Sequence, residues 1–282
     1  MSIYRNNGLS GIGVNRVNTK CYNGLSTIHL ELSSKCNKNC WMCGRRQMEK
    51  DPKFFPNWGF MNFRLLKRIA KQIPRSIVVQ FFNNGEPLLY PRLQEALELF
   101  PDNIRCLNTN GKLLVETYRS LVGNLDTLTI SVIEDDPEGD EQYEIVKRFL
   151  ELKGEDLPQM VYRLLGNIPS KRWAELPGTL CTRVLHHHSG SHSYTKQVTI
   201  PEIGICQDLL HHMAIDRFGN VSCCVRFDPK EHLFLGNLQE EKLIDIWNGP
   251  RRRRMLWEHL HGNRDLLPGC MDCDFYGCPT GT

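Results

Sequence analysis

Cys36, Cys40 and Cys43 stand in a C-x3-C-x2-C spacing directly after a β-like run, Thr27-Ile28-His29-Leu30-Glu31-Leu32. A loop closing this tightly gathers three sulfurs around one small volume. Three thiolates suit an iron–sulfur cube and leave one iron without a protein ligand, so that iron can bind and act on a small molecule. The competing reading is zinc, whose loops want a second cysteine pair or histidines close by. The next cysteine, Cys106, lies on a different predicted element.

The 282 residues, 40% of them hydrophobic, suffice for one large domain, or one domain with a small appendix. A net charge of +3 gives no bulk argument for nucleic acid. The opening Met1-Ser2-Ile3-Tyr4-Arg5-Asn6-Asn7 is polar and unlike an export signal, and no apolar run approaches transmembrane length. The twelve cysteines therefore read as metal ligands rather than disulfides, with a cytoplasmic location expected.

Residues 1–26, with Gly8, Gly11, Gly13 and Gly24, read as an N-terminal arm. From residue 27 strand-like and helix-like patterns alternate. Strands are expected at 27–32, 76–82, 104–108, 127–132 and 160–165, with helices at 61–73, 91–99, 112–122 and 140–152. Short connections between such elements imply parallel strands covered by helices, as an open doubly wound sheet or a full or partial barrel. Either places ligands at the carboxyl ends of the strands, where the cysteine loop lies.

Three stretches then carry a resemblance. The C-x3-C-x2-C loop resembles the signature of the radical S-adenosylmethionine (radical SAM) superfamily. Phe82-Asn83-Asn84-Gly85-Glu86-Pro87-Leu88-Leu89 resembles its Gly-Gly-Glu motif, with Asn84 in place of the first glycine, and Thr109-Asn110-Gly111 resembles its turn after the third strand. The resemblance implies an α/β fold with a partial (β/α)6 TIM-like barrel over residues 27–200. It also implies a [4Fe-4S] cluster on Cys36, Cys40 and Cys43 whose fourth iron chelates exchangeable S-adenosyl-L-methionine. Cofactor contacts would come from Met42, Asn84, Gly85, Glu86, Thr109, Asn110, Ser131 and Arg163. An electron donor such as flavodoxin or ferredoxin would reduce the cluster, and the resulting 5′-deoxyadenosyl radical would abstract hydrogen from substrate.

Further on, Met213 to Cys224 reads as a β-hairpin turning at Arg217-Phe218-Gly219-Asn220, and helices are expected near 240–247 and 251–261. Cys206, the pair Cys223-Cys224 and Cys270-Met271-Asp272-Cys273 make a four-thiolate set that suits zinc or iron–sulfur alike. The order of these elements resembles the auxiliary-cluster appendix of radical SAM proteins, called SPASM with two clusters and Twitch with one. It implies a small cysteine-rich α+β appendix over 201–282. Because the SPASM form needs more cysteines than follow here, the Twitch form is expected, with one auxiliary [4Fe-4S] on Cys206, Cys224, Cys270 and Cys273. The Gly219-x4-Cys224 spacing of that family selects Cys224. Cys223, pointing oppositely on a strand, would be a core residue or a spare thiol that hands hydrogen to a substrate radical, and Cys278 a replacement ligand.

His186, His187, His188 and His192 read as an exposed polar loop, Arg251-Arg252-Arg253-Arg254 as a solvated charge run, and Cys21, Cys106 and Cys181 as structural or incidental. The expected activity is net oxidation or rearrangement of a small molecule. The short segment before the first strand, too small for a leader-binding domain, tilts against the alternative, a peptide- or protein-modifying maturase. The rival from another class is a non-enzymatic binding module with two zinc sites.

Overall fold

The computed structural model describes residues 22–50, 57–183, 205–225, 228, 231–271 and 273. The arm before Tyr22, the histidine run and Cys278 lie outside the described residues. Strands β1 (Thr27–Leu30), β2 (Val78–Phe81), β3 (Arg105–Thr109), β4 (Thr127–Ile133), β5 (Gln159–Leu165) and β6 (Thr179–Arg183) follow one another in parallel. Between them run helices α1 (Arg45–Lys50), α2 (Phe63–Ala70), α3 (Leu93–Glu98), α4 (Tyr118–Leu121), α5 (Gly139–Lys153) and α6 (Lys171–Ala174). This is a mixed α/β fold with a parallel-dominated open sheet, consistent with a partial barrel. Among the described residues no helix is long and apolar enough to cross a membrane.

The appendix continues the same sheet. After α7 (Gln207–His211), β7 (His212–Ile215) pairs parallel with β1, placing Thr27 opposite His212 and Leu30 opposite Ile215. β8 (Asn220–Ser222) returns antiparallel and β9 (Phe234–Asn237) follows it, giving the order β6-β5-β4-β3-β2-β1-β7-β8-β9. Gly219, at φ +84, makes the tight turn after β7, and the Asp216 carboxylate accepts the Phe218 and Asn220 N–H groups there. Helices α8 (Leu243–Trp247) and α9 (Pro250–Leu260) follow β9.

Strand alternation sorts the residues. Ile28, Leu30, Val79, Phe81, Leu107, Leu128, Ile130, Tyr162 and Leu164 are buried in the main core with the helix residues Leu66, Ile69, Leu97, Phe149 and Trp173. The alternate positions His29, Gln80, Asn108, Ser131, Arg163, Arg183 and His212 instead line a cavity of about 380 Å³. Helix α2 shows the local logic on the covering layer. Its N-cap Asn62 accepts the N–H groups of Arg64 and Leu65 at 2.9 and 3.3 Å, and Leu65, Leu66 and Ile69 recur on one buried stripe.

Candidate functional site

Cys36, Cys40 and Cys43 all line the 380 Å³ cavity, in the loop that leaves β1 and feeds α1. The loop is tied to two other strand ends. Glu86 N–H donates to Lys35 O at 2.8 Å, and the Arg45 guanidinium donates to the carbonyls of Ser34 and Asn84 while stacking 3.9 Å over Trp58. On the other side buried Lys38 pairs with Asp136 and reaches Glu138 at 3.7 Å, and Trp41 Nε1 donates to Glu134 O at 3.0 Å. The loop is thus bolted between the ends of β2 and β4.

Burial pushes the Cys36 and Cys40 thiols upward, Cys40 to about 12, and the neighbouring Cys43 adds to both. A multivalent metal centre would reverse that suppression of Cys36 and Cys40, since metal binding deprotonates thiols outright. A second fit lies next door. Asn84 donates its N–H and Nδ2 to Glu31, while its buried Oδ1 has no partner among the described residues and Asn84 lines the cavity. That oxygen is an acceptor still open to a donor.

Gly85 and Glu86 explain why the second motif has its residue types. A Cβ on Gly85 would meet Lys35 O at 2.6 Å and Ser33 O closer still, so only glycine allows the end of β2 to seat on the cysteine loop. The Glu86 carboxylate, 2% exposed, accepts from Leu88 N (3.0 Å), Thr109 Oγ1 (2.8 Å) and Asn110 N (2.8 Å). Glu86 thus clamps the ends of β2 and β3 together on the cavity wall. Met42, Thr109, Asn110, Ser131 and Arg163 also reach the cavity wall, Ser131 and Arg163 side by side on β4 and β5.

Two buried carboxylates, Glu86 on the cavity wall and Glu31 behind Asn84, make a pH prediction. Burial raises Glu31 and Glu86 from the ordinary 4.5 to about 7, and for Glu31 the Asp216 charge adds to it. The folded chain holds these protons more tightly than the unfolded chain does. Their contribution to stability is therefore complete below pH 4.5 and is lost as pH rises through about 7. Each contributes on the order of 3 kcal/mol. Urea unfolding of the cluster-free protein should show stability falling from pH 5 to pH 8, and Glu31→Gln should flatten that slope. An unchanged slope would refute the assignment.

A second cavity lies in the appendix, lined by Cys206, Cys223, Cys224, Cys270 and Cys273. Cys206 is the N-cap of α7, and Cys270 and Cys273 sit in a turn closed by Cys270 N to Leu267 O (2.8 Å) and Cys273 N to Cys270 O (3.1 Å). Arg264 Nη1 braces it on Cys273 O at 2.7 Å. Burial, then the neighbouring Cys273 and Cys206, pushes the Cys270 thiol to about 12, the same signature as in the first cavity. The expected opposition of Cys223 and Cys224 does not hold, because β8 ends at Ser222 and strand alternation has stopped before either residue. Both line this cavity. Cys223, 4% exposed with its Sγ 3.4 Å from Met255 Sδ, is not among the residues lining the larger one, where a hydrogen donor to substrate would have to be.

Asp208 lines both cavities and accepts or shares a hydrogen bond with His212 Nδ1 at 2.9 Å; the His212 ring lies 5.7 Å from that of His29. With Gln80 and Asn108, joined at 2.8 Å, these side chains form a polar wall that motif matching missed. The signal that could have found four of them is periodicity: His29, Gln80, Asn108 and His212 are polar residues at inward positions of strands whose alternate positions are apolar, whereas Asp208 lies on α7.

Comparison with known proteins agrees with this architecture. The sequence model for the radical SAM superfamily matches residues 30–167, and that for SPASM, an iron–sulfur cluster-binding domain, matches residues 206–274. The chain belongs to the radical SAM superfamily of iron–sulfur enzymes and carries a SPASM cluster-binding domain. Membership carries with it a [4Fe-4S] cluster used with S-adenosylmethionine and auxiliary iron–sulfur binding in the appendix, which sets aside the two-zinc module. The chain is 30% identical over 132 residues to the FeMo cofactor biosynthesis protein NifB of Methanocaldococcus jannaschii, a match covering 43% of this chain and 44% of that protein, so it spans less than half of that relative's length. It is 23% identical over 255 residues to the S-adenosyl-L-methionine-dependent 2-deoxy-scyllo-inosamine dehydrogenase of Niallia circulans, covering 87% of this chain and 92% of that one. Two solved structures share the fold. BtrN in complex with AdoMet and 2-DOIA superposes with TM-score 0.54 and 20% identity, covering 89% of this chain and 93% of that one. Streptococcus suis SuiB bound to its precursor peptide SuiA gives 0.63 and 14%, covering 96% and 75%.

Proposed function

We propose that Cys36, Cys40 and Cys43 hold the cluster that works with S-adenosylmethionine, that Cys206, Cys224, Cys270 and Cys273 hold one auxiliary [4Fe-4S] cluster, and that the reaction is a net oxidation or rearrangement of a small polar molecule. The observation that carries this reading is the pair of cysteine-lined cavities sharing Asp208 as a common wall. The bound cofactor supplies a 5′-deoxyadenosyl radical for hydrogen abstraction. The chain's own part is positioning. The unpartnered Asn84 Oδ1 would receive the ammonium group of the cofactor, Gly85 lets the end of β2 seat against the cysteine loop, and Met42 would offer a polarisable apolar contact. Asp208 orients His212 so that Nε2 could take the proton released when a carbon bearing O–H or N–H, having lost a hydrogen atom to the radical, gives up its remaining electron, for which the auxiliary cluster would be the acceptor. A one-electron donor of the flavodoxin or ferredoxin class supplies the reducing equivalent. The small-molecule reading is supported by the dehydrogenase likeness, which runs over 92% of that relative.

The test is anaerobic iron and sulfide analysis of reconstituted protein, with 5′-deoxyadenosine assayed after dithionite and S-adenosylmethionine. About eight irons and deoxyadenosine are expected from two cubes. About four irons with cleavage would remove the auxiliary cluster from the reading, and no cleavage would refute the site.

A further inference from the structure

Asn110 stands at the end of β3, where the family motif led to the expectation of a cofactor contact. Its polar atoms are otherwise engaged. The backbone N–H donates to Glu86 Oε2 at 2.8 Å, and the carbonyl accepts from Gln142 Nε2 at 2.7 Å. The side-chain Oδ1 accepts from Lys112 N at 3.0 Å, which fixes which end of the amide is oxygen. The two Nδ2 hydrogens are then aimed at Asn37 Oδ1, 2.8 Å away, and at Cys36 Sγ, 3.8 Å away. Asn110 is 8% exposed, and the Gln142 that holds it is 2% exposed, so the amide has little room to turn away.

We propose that Asn110 is a positioning residue for the first cluster: its Nδ2–H group donates to the Cys36 sulfur and raises the reduction potential of the iron–sulfur centre held there. This rests on the assignment of Cys36, Cys40 and Cys43 as the ligands. Once Cys36 is a thiolate, the N–H···S contact becomes charge-assisted. A donor on a ligand sulfur withdraws charge from it and stabilises the extra electron of the reduced state, one of the established means of setting cluster potential. The Lys38 backbone N–H also donates to Cys36, so this sulfur receives two donors from two segments of the fold. Glu86 thereby acquires a purpose beyond clamping strands. By holding the Asn110 backbone it fixes the angle from which the amide meets the sulfur.

The experiment is an EPR-monitored redox titration of anaerobically reconstituted parent, Asn110→Ala and Asn110→Asp, reading the signal whose shape changes on adding S-adenosylmethionine. Both variants remove the Nδ2 donor, and the aspartate keeps the size and the Oδ1 acceptor. The expected result is a reduction equilibrium about tenfold less favourable in each variant, a midpoint about 59 mV lower for a one-electron couple, with the auxiliary signal unmoved. An unchanged midpoint in a variant that loads its cluster would overturn the proposal. Failure of both variants to load it would overturn it in favour of a folding role. A parent protein with no signal responsive to S-adenosylmethionine would instead defeat the ligand assignment itself.

Discussion

Gly85→Ala is expected to abolish the first cluster. The added methyl would sit 2.6 Å from Lys35 O and nearer to Ser33 O, both backbone atoms that cannot swing aside as a side-chain tip would. The end of β2 would have to back away from the loop. The Glu86 N–H to Lys35 O bond of 2.8 Å would go with it, together with the Arg45 bridge between Ser34 and Asn84. Overpacking of this kind costs about 1–3 kcal/mol in stability, which a chain of this size can survive. The effect on the site is larger, because the loop that carries the three sulfurs loses its seat on the end of β2. Iron content should fall from about eight to about four per chain, the auxiliary share remaining, and 5′-deoxyadenosine should fall below detection. Gly123→Ala is the matched control. Gly123, unlike Gly85, has a glycine-favouring φ, +75, yet nothing lies within 4 Å of its added Cβ. It should lose about 1 kcal/mol and keep both iron and cleavage. A Gly85→Ala protein that loads two clusters and makes deoxyadenosine at the parent rate would show that the close approach is incidental.

Which of these features could be read from the sequence follows from the range of the interactions that make them. The cysteine loop, Gly85 and the Thr109-Asn110-Gly111 turn are local, and five of the first six strands declare themselves as strand-like runs. Strand β6, Thr-Leu-Cys-Thr-Arg, does not. It carries one large apolar residue, and Thr179, Cys181 and Thr182 are exposed, so only its ladder to β5 makes it a strand. The helix expected over 112–122 shrinks to Tyr118–Leu121, because Gly111 at φ +83 and the turns after it occupy the preceding residues. The joining of core and appendix through β1 and β7 is a contact between residues far apart in sequence, invisible to periodicity. Glu86 shows the same limit at the site. Its spacing identified the motif, but its job depends on where Thr109 and Asn110 arrive in space.

The arginine run at the start of α9 carries the other large prediction. It reads as a solvated surface, and Arg251, Arg253 and Arg254 are indeed exposed, but Arg252 is 5% exposed. Its guanidinium stacks 3.3 Å over the Trp247 ring. Nη2 donates to Leu209 O at 3.1 Å and Leu210 O at 3.0 Å, and Nη1 to Trp247 O at 3.4 Å. Leu209 and Leu210 belong to α7, a five-residue helix whose final carbonyls have no intrahelical partners. Arg252 therefore caps α7, the helix that begins immediately after Cys206. Burial lowers its pKa only to about 10, so it remains charged at neutral pH. Arg252→Ala strands those carbonyls and leaves the space beside Trp247 unfilled, a cost of about 3–5 kcal/mol. In a chain of this length that corresponds to a thermal midpoint about 10 °C lower. The loss should fall on the appendix: the auxiliary iron disappears while S-adenosylmethionine cleavage at the first cluster persists. Arg252→Lys keeps the charge without the planar fork and should land between the two. Arg253→Ala, one residue along and exposed, should change neither midpoint nor iron. If Arg252→Ala melts with Arg253→Ala and keeps its full iron, the cap on α7 does not hold Cys206 in place, and the auxiliary site owes its geometry to the turn at Cys270 and Cys273 alone.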